Sequence, residues 1–145
     1  MMQNRLSISK RMRRVKSRGS LIEKEFARIL RSDGIRYIDH PKIFGRPDFK
    51  IKGKKILIFC DSSFWHGRNT NEISGKAFHR RRKFWVEKLR YNKELDKRTN
   101  YILRKDGWIV LRFWDDVIIK KPHLIIEKIN RYVEKLKNDK NFKRR

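Results

Sequence analysis

Cysteine is almost absent from this 145-residue chain, and the single Cys60 excludes an intrachain disulfide and any structural zinc site built on several thiolates. A metal bound here has to use oxygen and imidazole ligands. Proline occurs three times and glycine seven times, too few for a low-complexity or collagen-like chain. Acidic residues are scarce, 16 against 41 basic ones, which leaves a formal charge of +25. No apolar run approaches the ~20 residues that cross a bilayer. The basic segment Met1–Arg18 lacks the apolar stretch of a secretory signal, so the expected location is the cytoplasm. What is present, 38% hydrophobic and 12% aromatic residues, is enough to close one core in one compact domain.

A charge of this size is costly in self-repulsion unless a polyanion offsets it, and nucleic acid is the polyanion it fits first. An anionic membrane surface would call for an amphipathic basic helix or a lipidation signal, and neither stands out.

Residues 1–19 alternate basic side chains with Leu6, Ile8, Met12 and Val15, a pattern open to a helix lying on something acidic and read in preference as an arm that orders on DNA. Ser20 and Glu23 have capping-box spacing ahead of Phe26, Ile29 and Leu30, which predicts a helix ended by Asp33-Gly34. Ile35–Ile38 then begins an extended segment. Gly45–Ile51 and the apolar run Ile56–Cys60, joined through Lys52-Gly53-Lys54-Lys55, predict a β-hairpin. The lack of alternation in the second run predicts a strand buried on both faces. From Lys76 to Asp106 the pattern is helical, with Phe78, Phe84/Trp85, Leu89, Leu95 and Ile102/Leu103 as the expected buried stripe and a break near Asn92. Trp108–Trp114 is a further strand, and Pro122 opens a last helix facing inward through Leu124/Ile125, Ile129, Tyr132/Val133 and Leu136. The charged tail from Lys137 is expected to fray. The domain assignment is a basic arm over 1–19, a single folded domain over 20–138 and a basic tail over 139–145. The fold class is α/β, a central mixed β-sheet flanked by helices.

Asp48 at the start of one strand and Cys60 at the end of the next converge at one sheet edge. A carboxylate and strand-end carbonyls are hard oxygen ligands suited to Mg²⁺, and His66 follows on the loop as a side chain able to take a proton from water near neutral pH. Together with a basic groove, these describe metal-assisted phosphodiester hydrolysis. Each signal also has a plainer reading. Pro47-Asp48 is a common turn dipeptide, His66 beside Trp65 fits a packed loop histidine, and Arg80-Arg81-Arg82-Lys83 fits a solvated face. Only their co-occurrence gives them weight.

The ordered motifs Gly45-Arg46-Pro47-Asp48-Phe49, Ile58-Phe59-Cys60, Phe64-Trp65-His66-Gly67, Phe84-Trp85 with Lys88, Asn92 and Asp96, and Gly107–Leu111 with Trp114 resemble the very-short-patch-repair (Vsr) endonucleases. Ser9–Arg13 and Ile22-Glu23-Lys24 extend the match. The resemblance implies a single restriction-endonuclease-like domain that nicks DNA with Mg²⁺ beside T:G mismatches, with Mn²⁺ as a substitute. It implies Asp48 as metal ligand, Cys60 as donor of a backbone carbonyl to the metal, His66 as general base, Asp96 as its orienting partner, and Glu23 reaching the metal waters. Phe64, Trp65 and Trp85 correspond to the aromatics that wedge into the duplex. Arg11, Arg13 and Arg14 of the arm, with Arg80, Arg81, Arg82, Lys83 and Lys88, are the expected DNA contacts. The implied partner is double-stranded DNA, mismatched in the repair reading, with no membrane.

Two departures from the family pattern carry expectations of their own. Ser63, Arg68 and Asp116 occupy the regions of three zinc ligands found in bacterial members, so no structural zinc is expected. No acidic-x-Lys motif ends the Ile56–Cys60 strand, so His66 has to substitute for that lysine. Competing readings are a restriction or homing-type endonuclease using the same site on an intact sequence, and a noncatalytic nucleic-acid-binding protein. The latter gains nothing from carboxylates facing phosphate.

Overall fold

The computed structural model describes residues 21–63 and 82–143, and the chain divides into two compact units. The N-terminal arm, residues 64–81, with most of the loop expected after the Ile56–Cys60 run and the helix start expected at Lys76, and the helix start expected at Ser20 lie outside the described residues.

The first unit combines the chain up to Arg36 with the chain from Val117 onward. Helix α1 covers 21–32 and ends in the expected turn at Asp33-Gly34. Helix α4 spans Pro122–Lys143, with a proline at its first position, where a helix has no need of an N–H. Phe26 and Leu30 of α1 and Ile125 and Ile129 of α4 are fully buried, so the predicted apolar faces are the ones that leave water. Leu124, expected on the inward face, is 40% exposed. The segment expected to fray from Lys137 continues as helix to Lys143. A short helix α3, Asp115–Lys120, precedes α4 and was not anticipated. No described helix is long and apolar enough to cross a membrane.

The second unit, Tyr37–Asp116, holds a four-stranded mixed sheet in the order β1-β2-β3-β4. Strands β1 (Tyr37–Asp39), β2 (Phe49–Ile51) and β3 (Ile56–Asp61) are joined antiparallel, whereas β4 (Ile109–Trp114) runs parallel to β3. The turn between β2 and β3 is the predicted one. Parallel pairing requires a crossover, and helix α2 (Arg82–Lys105) lies on it. Strand β3 is central, with Ile56, Leu57 and Ile58 fully buried, as its continuous apolar run predicts. Leu57, Phe59 and Val110 form a core cluster with Leu103 of α2, and Ile43 and Trp108 pack against it. Helix α2 ends where Gly107 takes a φ of +93°. Its N–H and that of Trp108 donate to the carbonyls of Arg104 and Leu103, satisfying orphan carbonyls of the last turn.

Two expectations for α2 fail. The described helix is continuous through Asn92. Of the stripe read as buried, Leu89 and Leu103 are 2% exposed, but Phe84, Leu95 and Ile102 are 53%, 47% and 40% exposed. The helix is turned so that Asp96, Thr99 and Asn100 face partners instead. Arg112 of β4 engages Asp96 and Asn100, and the Thr99 hydroxyl donates to the Leu95 carbonyl. Polar side chains with good partners can be buried at little cost, a possibility that counting apolar residues overlooks.

Candidate active site

The loop into β2 is shaped by Gly45 and Arg46, both with positive φ, +83° and +52°. Glycine accepts that conformation without strain. It also has no room for a side chain, because a Cβ at Gly45 would overlap the Thr99 methyl on α2. The Arg46 N–H donates to the Ile43 carbonyl, Pro47 is fully buried, and the chain is delivered to Asp48 in a fixed direction.

Asp48 is held on three sides. Its N–H donates to the Ile58 carbonyl at 2.9 Å and its carbonyl accepts the His40 N–H at 2.9 Å. Its carboxylate Oδ2 accepts the Cys60 N–H at 2.7 Å. A charge-assisted bond of this length is among the stronger ones, and it ties the side chain to the end of β3. The sequence-predicted pair Asp48 and Cys60 is thus brought together, with the Cys60 amide now seen to position the carboxylate. His40, at the end of β1 with a φ of +42°, places a ring nitrogen within 4.8 Å of an Asp48 carboxylate oxygen.

A second polar cluster lies one residue further along β3. Asp61 is 5% exposed and accepts a hydrogen bond from Arg112 Nη1 at 2.9 Å. The same Nη1 lies 3.6 Å from Asp96 Oδ1. Arg112 Nε donates to Asn100 Oδ1 at 2.7 Å, and the guanidinium carbon sits 4.1 Å from the Phe59 ring centroid. Among the described residues no buried side-chain polar atom lacks a hydrogen-bond partner. Beyond Asp61, the Ser63 hydroxyl donates to Asp115 Oδ1 at 2.5 Å, and the Asp116 N–H donates to the same oxygen. Two of the three positions read as lost zinc ligands therefore meet through Asp115. Arg68, the third, lies outside the described residues.

Of the remaining predicted residues, Glu23 is half-buried on α1 and Lys83 exposed on α2. Trp85 meets Phe84 edge-on at 5.6 Å, with Lys88 Nζ 6.0 Å from the Trp85 ring. His66, Phe64, Trp65, Arg11, Arg13, Arg14, Arg80, Arg81 and the side chain of Arg82 lie outside the described residues. Sequence reasoning missed His40, Asp61 and Arg112. His40 was recoverable: β1 pairs with β2 through Asp39 and Phe49, which sets the next residue of each strand end, His40 and Asp48, side by side.

A mixed sheet that holds a carboxylate at the end of its antiparallel hairpin, against a strand-end amide, is the layout of an α/β nuclease domain. The family model for the DNA mismatch endonuclease Vsr matches residues 3–72. The DNA mismatch endonuclease Vsr of Escherichia coli K12 is 32% identical over 127 residues, covering 87% of this chain and 80% of its own length. The type II nicking enzyme V.HpaIIP of Haemophilus parainfluenzae is 36% identical over 108 residues, 74% of this chain and 76% of that enzyme. V.NmeDIP of Neisseria meningitidis serogroup C, also a type II nicking enzyme, is 35% identical over 123 residues, 81% and 80% of the two chains. The chain belongs to the Vsr endonuclease family. Among solved structures, the catalytic domain of the homing endonuclease I-Bth0305I covers 79% of this chain at 23% identity with a TM-score of 0.45, a likeness too loose to bear on the site.

Proposed function

We propose that this Vsr-family endonuclease nicks one strand of duplex DNA beside a mismatch, with Mg²⁺ as cofactor and His66 as general base. The observation that carries the reading is the Asp48 carboxylate fixed at the sheet edge by the Cys60 N–H at 2.7 Å. The names of its relatives, a mismatch endonuclease and type II nicking enzymes, support DNA as substrate and a nick as outcome.

The donor set suits a hard cation. Asp48 offers a carboxylate, Cys60 a backbone carbonyl and His40 an imidazole nearby, whereas a thiolate cluster is excluded by the single cysteine. Mg²⁺ is typically held by one or two carboxylates together with waters and substrate phosphates. Asp48 and the Cys60 carbonyl would hold it, with Glu23 acting through its waters. When bound, the metal supplies charge neutralisation at the scissile phosphate and acidifies water. The chain does the rest: His66 accepts the proton of the attacking water, Asp96 orients that imidazole, and the Lys and Arg side chains of the arm and of Arg80–Lys88 bind backbone phosphates. Phe64, Trp65 and Trp85 wedge at a base step that a mismatch has already weakened.

Incubation with Mg²⁺ and short duplexes, matched and carrying each mismatch, with products mapped on each strand, tests this. A single-strand cut confined to mismatched duplexes is expected. Cutting of a matched recognition sequence would favour the restriction or homing-type reading. Tight binding with no cleavage in Mg²⁺ or Mn²⁺ would favour the noncatalytic one.

A further inference from the structure

The Asp61–Arg112–Asp96 cluster lies outside the donor set just described, and its composition is physically expensive. Two carboxylates, a guanidinium and an amide share a partly dehydrated spot in which the Arg112 and Asp61 side chains are 16% and 6% exposed. Replacing such a group by well-packed apolar residues is often neutral or stabilising, whereas removing one partner strands an unpaired charge. Stability alone therefore gives little reason to build it. Its position gives a better one. Asp61 is the residue after Cys60, whose N–H holds the Asp48 carboxylate, and Asp96 is the expected orienting partner of His66. Arg112 reaches both carboxylates with one nitrogen.

We propose that Arg112 is a positioning residue for the cleavage centre: by clamping Asp61 at the end of β3 and Asp96 on α2 together, it fixes the Cys60 amide that aims Asp48. The proposal rests on the metal-nuclease reading above. Its chemistry is specific to arginine. The planar fork donates Nε to Asn100 and Nη1 to Asp61 while its face lies over Phe59. A lysine, as a single rotating point charge, cannot satisfy these directions together. Without the guanidinium, the two carboxylates lose the donor they share and repel each other, so the end of β3 is no longer tied to α2 at this point.

The test compares wild type with Arg112→Met, Arg112→Lys, Asp61→Asn and Asp48→Asn. Mn²⁺ affinity is measured by calorimetry on the protein alone, cleavage of a mismatched duplex in Mg²⁺ under single-turnover conditions, and affinity for the same duplex in Ca²⁺. Groups that orient a metal ligand contribute about 10- to 100-fold to metal affinity or activity. Arg112→Met should lose that much in both Mn²⁺ binding and cleavage, with DNA affinity in Ca²⁺ unchanged. Arg112→Lys should recover little, and Asp61→Asn should fall between. Arg112→Met and Arg112→Lys that bind Mn²⁺ and cut like wild type overturn the proposal, even with a lowered melting temperature. If Arg112→Met does not fold, the lysine and Asp61→Asn variants decide on the same readouts. A wild-type protein that neither binds Mn²⁺ nor cuts overturns the metal-nuclease reading and this proposal with it. Wild-type binding and cleavage that Asp48→Asn loses and the Arg112 and Asp61 variants keep overturns this proposal alone.

Discussion

At the scale of single residues, Asp48 is held through both its backbone and its side chain and has the clearest expected phenotype. Its N–H and carboxylate are engaged by Ile58 and Cys60 of β3 and its carbonyl by His40 beyond β1, so replacing the side chain leaves two backbone anchors in place. Asp48→Ala should abolish cleavage while DNA binding is kept or tightened, since a negative charge facing phosphate is removed. Product formation and duplex affinity, measured on the same preparation, check it, and near wild-type cutting would reassign the metal site. The histidines separate by role. His66→Ala should slow cleavage by roughly 10²- to 10⁴-fold, the contribution of a positioned general base, without weakening Mn²⁺ binding. His40→Ala should weaken Mn²⁺ binding, because its ring nitrogen lies within 4.8 Å of Asp48. Asp96→Asn should cost less than His66→Ala, and a larger defect would point to a direct part in holding the metal.

At the scale of elements, the Gly45 loop and helix α2 depend on each other. Gly45→Ala combines a left-handed backbone with a methyl that overlaps Thr99, and strain of this kind costs of order 1–3 kcal/mol. Urea denaturation should show a lowered midpoint at unchanged slope, whereas an unchanged midpoint would mean that the loop moves freely away from α2. The same loop shows what the sequence made legible. Hairpin β2–β3 followed from its glycine turn and apolar runs, and with it came the meeting of Asp48 and Cys60, because hairpin register is local information. The inward face of α2 did not follow. Asp96 stands out only through the family resemblance, and nothing local marks Thr99 or Asn100; their common face follows from Arg112, 12 residues beyond Asn100. His40 escaped for a related reason: an extended segment is legible from Ile35, but only the pairing of β1 with β2 places the imidazole beside Asp48.

For the whole molecule, the excess of 41 basic over 16 acidic residues and the aromatic loop should do separable work. Phosphate neutralisation releases counterions, so log affinity should fall linearly with log salt by about 0.9 per phosphate contact. Deleting the arm should weaken binding to all duplexes alike and flatten that slope. Trp65→Ala should reduce the preference for mismatched DNA with little change in slope. Fluorescence anisotropy over a salt series on matched and mismatched duplexes reads both effects, and equal weakening of every duplex by Trp65→Ala would sink the wedge reading. The two polar contacts at the end of β3 also differ in how far apart along the chain their partners lie. Cys60 and Asp48 are 12 residues apart, whereas Arg112 and Asp61 are 51 apart. Closing the longer loop costs more chain entropy, so the hairpin can assemble early in folding while β4 docks late. Substitutions at Arg112 should then speed unfolding more than they slow folding, and the protein should spend part of each refolding event with Asp48 already aimed and the strand beside it still open.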